Sequence, residues 1–200
     1  MDDLFASGPE WLLEQNMVLY REFLAAHRAD ALTEELLTRT PWVSETLTVY
    51  GKEHQIPRLQ AWMGEPGIRY QYSGKVFTAS PWTSSLSQLA ADISSVAGTT
   101  FNSVLLNLYR DGQDAMGWHA DDEPELGPAP IIASLTLGAE RDFALRRKGS
   151  NKQDCVVSLP HNSLLIMQAG MQSAWQHSLP RRARINQPRI NLTFRYIHYS

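Results

Sequence analysis

From Phe101 to the last strand the chain is a succession of short runs in which apolar and polar residues alternate: 103–109, 131–137, 142–146, 156–159, 163–167, 175–178 and 189–197. No helical period separates them. Asp111-Gly112, Gly149-Ser150 and Asn162-Ser163 lie between runs, and these residue types reach the backbone conformations that tight turns need. About seven or eight strands in sequence, with no intervening helices, exclude an alternating α/β fold and imply a sandwich or jelly roll. Upstream, 46–50, 58–62 and 69–72 read as strands of hairpins, and two segments carry a helical period. The first, 30–38, has Leu32, Leu36 and Leu37 on one face, Asp30 placed as an N-cap and Pro41 beyond its end. The second, 84–97, has Leu86, Leu89, Ile93 and Val96 at helical spacing, with Gly98 positioned to stop it.

The 200 residues, 43% hydrophobic and 20% charged, suffice for one domain with a buried core. A single cysteine, Cys155, excludes an internal disulfide and a thiolate zinc cage, and fits a reducing compartment. The first ten residues lack the order of a secretory signal, and no apolar run approaches the ~20 residues that span a bilayer. No membrane association is expected, and the location is cytoplasmic in a bacterium or nuclear in a eukaryote. With 18 Lys and Arg against 21 Asp and Glu, global charge gives no reason to propose a nucleic-acid partner.

Two stretches carry chemistry. Along 189–197, Arg189, Asn191, Thr193 and Arg195 share one parity and Ile190, Leu192, Phe194 and Tyr196 the other. Two arginines with Asn and Thr between them, and no acid among them, suit a cavity that receives a small anion through paired hydrogen bonds. Asn107 and Tyr109 share a face of the 103–109 run and can line the same cavity. His119-Ala120-Asp121 places two metal-binding side chains on one side of an extended backbone, and a sheet can bring His177 opposite them. Two imidazoles and a carboxylate with open sites form the ligand set of non-haem Fe(II) oxygenases, although zinc hydrolases draw on the same residue types.

His119-Ala120-Asp121, the distal His177 and especially Pro188-Arg189-Ile190-Asn191-Leu192-Thr193-Phe194-Arg195 resemble the AlkB family of Fe(II)- and 2-oxoglutarate-dependent nucleic-acid dealkylases. The resemblance runs from about Val49 to Ile197 and is closest to the vertebrate nuclear DNA-repair members. Val49-Tyr50-Gly51-Lys52, the seven residues from Phe101 to Asn107, Arg141-Asp142-Phe143 and the six from Trp175 to Pro180 carry it further. It implies a single α+β dioxygenase domain over 1–200. A double-stranded β-helix core, or jelly roll, would occupy 101–200, with two supporting helices. An N-terminal extension over 1–45 and a nucleotide-recognition lid over 46–80 would complete it.

The resemblance also implies that His119, Asp121 and His177 hold Fe(II). Arg195 would grip the far carboxylate of 2-oxoglutarate with help from Tyr109 and Thr193, while Asn107 and Arg189 would surround its metal-chelating end and Asn191 would support them. The implied reaction removes N-linked methyl groups from bases such as 1-methyladenine and 3-methylcytosine, giving formaldehyde, succinate and CO2. A methyl group on the pairing edge is out of reach inside a duplex, so the base must be flipped out at a cost of a few kcal/mol. Tyr70, Gln71 and Tyr72 match the family's base-stacking segment. Tyr50, Gly51 and Lys52 stand where relatives carry a wedge that fills the gap, and Asp122 and Glu123 where a carboxylate accepts a hydrogen bond from the damaged base. Arg146, Arg147, Lys148, Lys152, Arg181, Arg182 and Arg184 are candidates for phosphate contacts. His54, His161 and His198 have no partner pattern and are expected to be structural or exposed. The expected partner is alkylated DNA, double- or single-stranded, with RNA open as a second, and the expected state is a monomer. Two alternatives remain: the same chemistry on RNA or a protein side chain, and a non-catalytic module binding nucleic acid or a small acid.

Overall fold

The computed structural model describes residues 8–49, 52–72 and 75–198, with 47–49, 52–54, 70–72 and 75–77 described by backbone alone. In chain order the strands are β1 (Glu10–Leu12), β2 (Met17–Tyr20), β3 (Thr46–Val49), β4 (Lys52–Gln55), β5 (Leu59–Gly64), β6 (Arg69–Tyr72), β7 (Lys75–Thr78), β8 (Ser80–Pro81), β9 (Ser103–Tyr109) and β10 (Met116–His119). They continue with β11 (Ile132–Gly138), β12 (Arg141–Arg147), β13 (Cys155–Leu159), β14 (Ser163–Met167), β15 (Trp175–Leu179) and β16 (Arg189–Arg195). The helices are α1 (Ala26–Arg39), α2 (Ser84–Ala97) and the short α3 (Met171–Ala174). None is long and apolar enough to cross a membrane.

Two sheets face each other. The larger has eight strands in the order β1-β2-β14-β11-β16-β9-β5-β8, and the smaller has four in the order β10-β15-β12-β13. Hairpins β3–β4 and β6–β7 stand apart as two-stranded sheets. This is the jelly-roll core expected from the sequence.

Strand parity divides the apolar residues into two cores. Val104, Leu106 and Leu108 of β9 and Ile190, Leu192 and Phe194 of β16 pack against Ala29, Leu32 and Leu36 of α1 and Leu86, Leu89 and Ile93 of α2. Met17 and Leu19 of β2, Ile132 of β11 and Leu165 and Met167 of β14 meet Phe143 and Leu145 of β12, Leu159 of β13 and Trp175 of β15 between the sheets. A fully buried Leu, Ile or Phe contributes about 1.5–3 kcal/mol, so each core holds its sheet in place. The opposite parity of β9 and β16 is thereby left facing the smaller sheet, where the site lies.

Helix α2 ends as expected, with Gly98 in the left-handed conformation at φ 66° and Thr83 accepting a hydrogen bond from Leu86 N at its start. Helix α1 corrects two expectations. It begins at Ala26, one turn before Asp30, and its buried face is Ala29, Leu32 and Leu36 rather than one including Leu37, which is exposed. Asp30 is not its cap.

The loop after β9 is held by Asp114, which is buried and accepts hydrogen bonds from the backbone N, Nε and Nη2 of Arg110, each at 2.8 Å. Burial pushes the Asp114 carboxyl up, but the Arg110 hydrogen bonds outweigh it and hold it below the usual range. A lowered folded-state pKa gives stability that is present above the unfolded value and lost as pH falls through the folded one. Asp114→Asn is therefore expected to lower stability at pH 7 by about 1–3 kcal/mol. The gap to the wild type should close as pH drops well past about 3.9, where a free aspartate protonates. Urea denaturation at both pH values checks it.

Candidate active site

A cavity of about 930 Å3 lies between the sheets. Its walls include Asn107 and Tyr109 from β9, Arg189, Asn191, Thr193 and Arg195 from β16, His119, Asp121 and His177. All nine residues expected to hold the metal or the cosubstrate thus line one space.

His119 ends β10, His177 sits inside β15, and the two are cross-strand partners, with ring centroids 4.2 Å apart. Asp121 follows β10 after one residue. One ligand atom from each of the three lies within 4.8 Å of the others. His119 Nδ1 lies 2.9 Å from Gly117 O, a contact that assigns the proton to Nδ1 and turns the Nε2 lone pair toward Asp121, 3.8 Å away. His177 is stacked on Phe143, centroids 4.9 Å apart, and its Nδ1 is buried without a hydrogen-bond partner among the described residues. Burial alone would raise the Asp121 carboxyl, yet Arg195, His177 and His119 together hold it down at about 2. Burial, with help from His119, pulls His177 down to about 3. At neutral pH the set is one carboxylate anion and a neutral buried imidazole, which are the protonation states that metal ligation requires. The donor types, their spacing and the orphaned His177 nitrogen fit a ferrous ion.

The two arginines are arranged in the reverse of the expected order. Arg195 Nη2 donates to Asp121 Oδ1 at 2.8 Å, which puts it at the metal end. Arg189 is six residues away on the same strand, a Cα separation of about 20 Å, so it lies at the other end. There it is 2% exposed, donates to Thr136 Oγ1 at 2.9 Å, and keeps a buried Nε with no hydrogen-bond partner among the described residues. Among the described residues no carboxylate forms a salt bridge with it. Burial lowers it, Tyr109 opposes that and Arg141 adds to it, leaving the guanidinium at about 10 and therefore charged at neutral pH. A buried cation with no anion beside it is costly, and a carboxylate entering the cavity would supply the missing charge.

Between these ends, Asn191 Nδ2 donates to Ser134 Oγ at 2.7 Å and Thr193 Oγ1 donates to Asn191 Oδ1 at 2.9 Å. Asn107 Oδ1 accepts from Arg58 Nε at 2.9 Å and from Gln60 Nε2 at 2.8 Å. Arg58, Ser134, Thr136 and Gln172 escaped the sequence reading. Gln172, buried on α3, accepts from Asp121 N at 2.9 Å and so fixes the backbone of a metal-ligand candidate. Contacts this distant in sequence leave no periodic signal.

Asp122 and Glu123 line the cavity, and Asp122 pairs with Lys148 Nζ at 2.6 Å. Tyr50 and Gly51 lie outside the described residues. Lys52 falls on β4 and Tyr70, Gln71 and Tyr72 on β6, described by backbone alone; Thr46 of β3 and Thr78 of β7 line the cavity, so both hairpins adjoin it. Of the basic candidates, Arg146 lies over Trp118 at 4.5 Å and Arg147 over Trp175 at 4.6 Å, while Arg182 is tied to Asp142 and Arg181 and Arg184 are exposed. His161 Nδ1 accepts from Gly138 N, a structural role.

Comparison with known proteins gives a concordant picture. The family model described as 2OG-Fe(II) oxygenase superfamily matches residues 16–195. The chain is 40% identical over 205 residues to the DNA oxidative demethylase ALKBH2 of Homo sapiens, a match covering 96% of this chain and 78% of that protein. It is 40% identical over 189 residues to human alpha-ketoglutarate-dependent dioxygenase alkB homolog 3, covering 90% of this chain and 65% of the relative. To the DNA oxidative demethylase ALKBH2 of Arabidopsis thaliana it is 33% identical over 208 residues, covering 91% and 66%. The solved structure of OsALKBH1 superposes with a TM-score of 0.67 at 16% identity, covering 94% of this chain and all of that one, a likeness of fold.

Proposed function

We propose that this chain, which belongs to the 2OG-Fe(II) oxygenase superfamily and to its AlkB family, oxidatively demethylates alkylated DNA bases such as 1-methyladenine and 3-methylcytosine. The observation that carries the reading is the union, in one cavity, of a His-Asp-His donor set with a buried guanidinium that has no carboxylate partner among the described residues. A non-catalytic module would have no use for both.

His119, Asp121 and His177 would hold Fe(II), which, when bound with 2-oxoglutarate and oxygen, supplies the oxidising power that releases an N-methyl group as formaldehyde. The chain's own residues bind and orient. Arg189 grips the far carboxylate of 2-oxoglutarate, with Tyr109 and Thr136 beside it. Arg195 holds Asp121 in place from the metal end, reversing the roles that the resemblance alone implied. Asn191 and Thr193 line the space between, and Asn107 holds Arg58 and Gln60 along the adjoining wall. Phe143, packed on His177, keeps water from that side of the ring. The hairpins β3–β4 and β6–β7 form the lid over the flipped base. Tyr70, Gln71 and Tyr72 stack or bond to the base, Tyr50, Gly51 and Lys52 occupy the gap it leaves, and Asp122 and Glu123 accept from its amine or offset its positive charge. The identity to two curated DNA demethylases supports the substrate class.

The test is incubation with Fe(II), ascorbate, 2-oxoglutarate and matched single- and double-stranded oligonucleotides bearing either lesion. Formaldehyde and succinate should appear in equal amounts as the oligonucleotide loses its methyl group. Succinate formed without repair of any DNA would assign the same chemistry to another substrate.

A further inference from the structure

We propose that Arg141 is a positioning residue for the end of the cosubstrate site away from the metal, acting through the Tyr109 ring and through the two loops that it joins. The inference rests on the reading of Arg189 as the anchor for the far carboxylate.

Arg141 opens β12, is 2% exposed, and ranks among the largest fully buried side chains. Among the described residues no carboxylate forms a salt bridge with it. Its hydrogen bonds go to three backbone carbonyls instead: Nη1 donates to Asp111 O at 3.1 Å, and Nη2 donates to Asp114 O at 2.9 Å and to Pro180 O at 2.8 Å. These carbonyls belong to two loops. One begins directly after Tyr109, and the other ends directly before Arg189, the register partner of Tyr109 on the adjoining strand. The loops are also bonded to each other, since Gly112 N donates to Ile185 O and Arg182 N donates to Gly112 O, both at 2.7 Å. The approach is so close that a Cβ at Gly112 would lie 1.8 Å from Arg182 O.

One guanidinium therefore ties together the chain segments that deliver two walls of the cavity. The Tyr109 ring completes the link, with the Arg141 guanidinium carbon 5.9 Å and that of Arg189 5.4 Å from its centroid. Both contacts are within the range in which a cation is attracted to a ring. Arg141 also places a second buried positive charge on the Tyr109 ring beside Arg189, which favours an incoming dianion. A rigid planar fork that reaches carbonyls of two loops from two separate nitrogens is what arginine can do and a single ammonium cannot. An ammonium group in its place would retain the charge but not the fixed geometry, so Arg141→Lys separates position from charge.

The test is calorimetric titration of 2-oxoglutarate into the full chain loaded with Mn(II), so that no turnover occurs, alongside Mn(II) affinity measured by electron paramagnetic resonance. Arg141→Lys should raise the Kd for 2-oxoglutarate about tenfold, the scale of loss seen when a supporting residue behind a ligand is removed, and leave Mn(II) affinity within about twofold. An unchanged Kd for 2-oxoglutarate, or a parallel loss of Mn(II), would overturn the proposal. Tyr109→Phe keeps the ring and loses only what the hydroxyl contributes, so Tyr109→Leu should bind 2-oxoglutarate about tenfold more weakly than Tyr109→Phe; equal losses in the two would overturn the route through the ring. This second pair decides the matter even if Arg141→Lys fails to fold. A wild-type chain that does not bind 2-oxoglutarate would sink the underlying reading itself, whereas wild-type binding matched by Arg141→Lys would sink only the role of Arg141.

Discussion

Asp121→Asn is expected to abolish turnover of 2-oxoglutarate and to weaken Mn(II) binding by at least about 100-fold, which corresponds to about 2.7 kcal/mol. Asp121 is the sole anion of the donor set, and it is held ionised by Arg195, His177 and His119 despite its burial. An asparagine of the same shape offers a neutral carbonyl or, turned around, an NH2 that repels both the metal and Arg195. The bond from Arg195 Nη2 to Asp121 Oδ1 at 2.8 Å is lost as an ion pair at the same moment. Gln172 still accepts from the backbone at residue 121, so the loop keeps its course and the damage stays chemical. Paramagnetic resonance of Mn(II) and succinate release measure the two effects. Binding within about tenfold of wild type would remove Asp121 from the ligand set.

The parts of this site visible in the sequence are those that depend on a local period. Because a strand alternates strictly, Arg189, Asn191, Thr193 and Arg195 could be assigned to one face and Ile190, Leu192, Phe194 and Tyr196 to the other, and the structure agrees except at Tyr196, which lies past the end of β16 and is exposed. His119-Ala120-Asp121 is local in the same way. Which end of the last strand meets the metal is not a local property. It depends on β10 pairing with β15 and on β16 lying between β11 and β9, so parity identified both arginines and could not order them. The N-terminal hairpin was invisible for another reason. Its turn runs through Leu13, Glu14 and Gln15 at φ of 48°, 52° and 72°, residue types that do not announce a left-handed backbone, and Asn16 comes only at its end. At α1, a well-placed Asp30 resembled a cap, yet burial of Ala29 extends the helix a turn earlier. Arg141 and Gln172 act through carbonyls and amides far away in the chain, for which composition and spacing carry no mark.

The order of the arginines leads to the second large effect. Arg189→Met should raise the Kd for 2-oxoglutarate by about 100-fold or more while Mn(II) affinity stays within a few-fold. Truncating one partner of a buried charged pair costs about 2–5 kcal/mol, and the far carboxylate would be left facing an apolar side chain and the unpaired Thr136 hydroxyl. Arg195→Met should show the opposite balance. Its guanidinium is bonded to Asp121, so its loss falls first on the metal, through a carboxylate no longer held in position and no longer stabilised as an anion. If Arg195 instead anchored the far carboxylate, the two variants would exchange phenotypes. Titrating each Mn(II)-loaded variant with 2-oxoglutarate, and each metal-free variant with Mn(II), gives four affinities whose pattern decides between the two assignments without any measurement of catalysis.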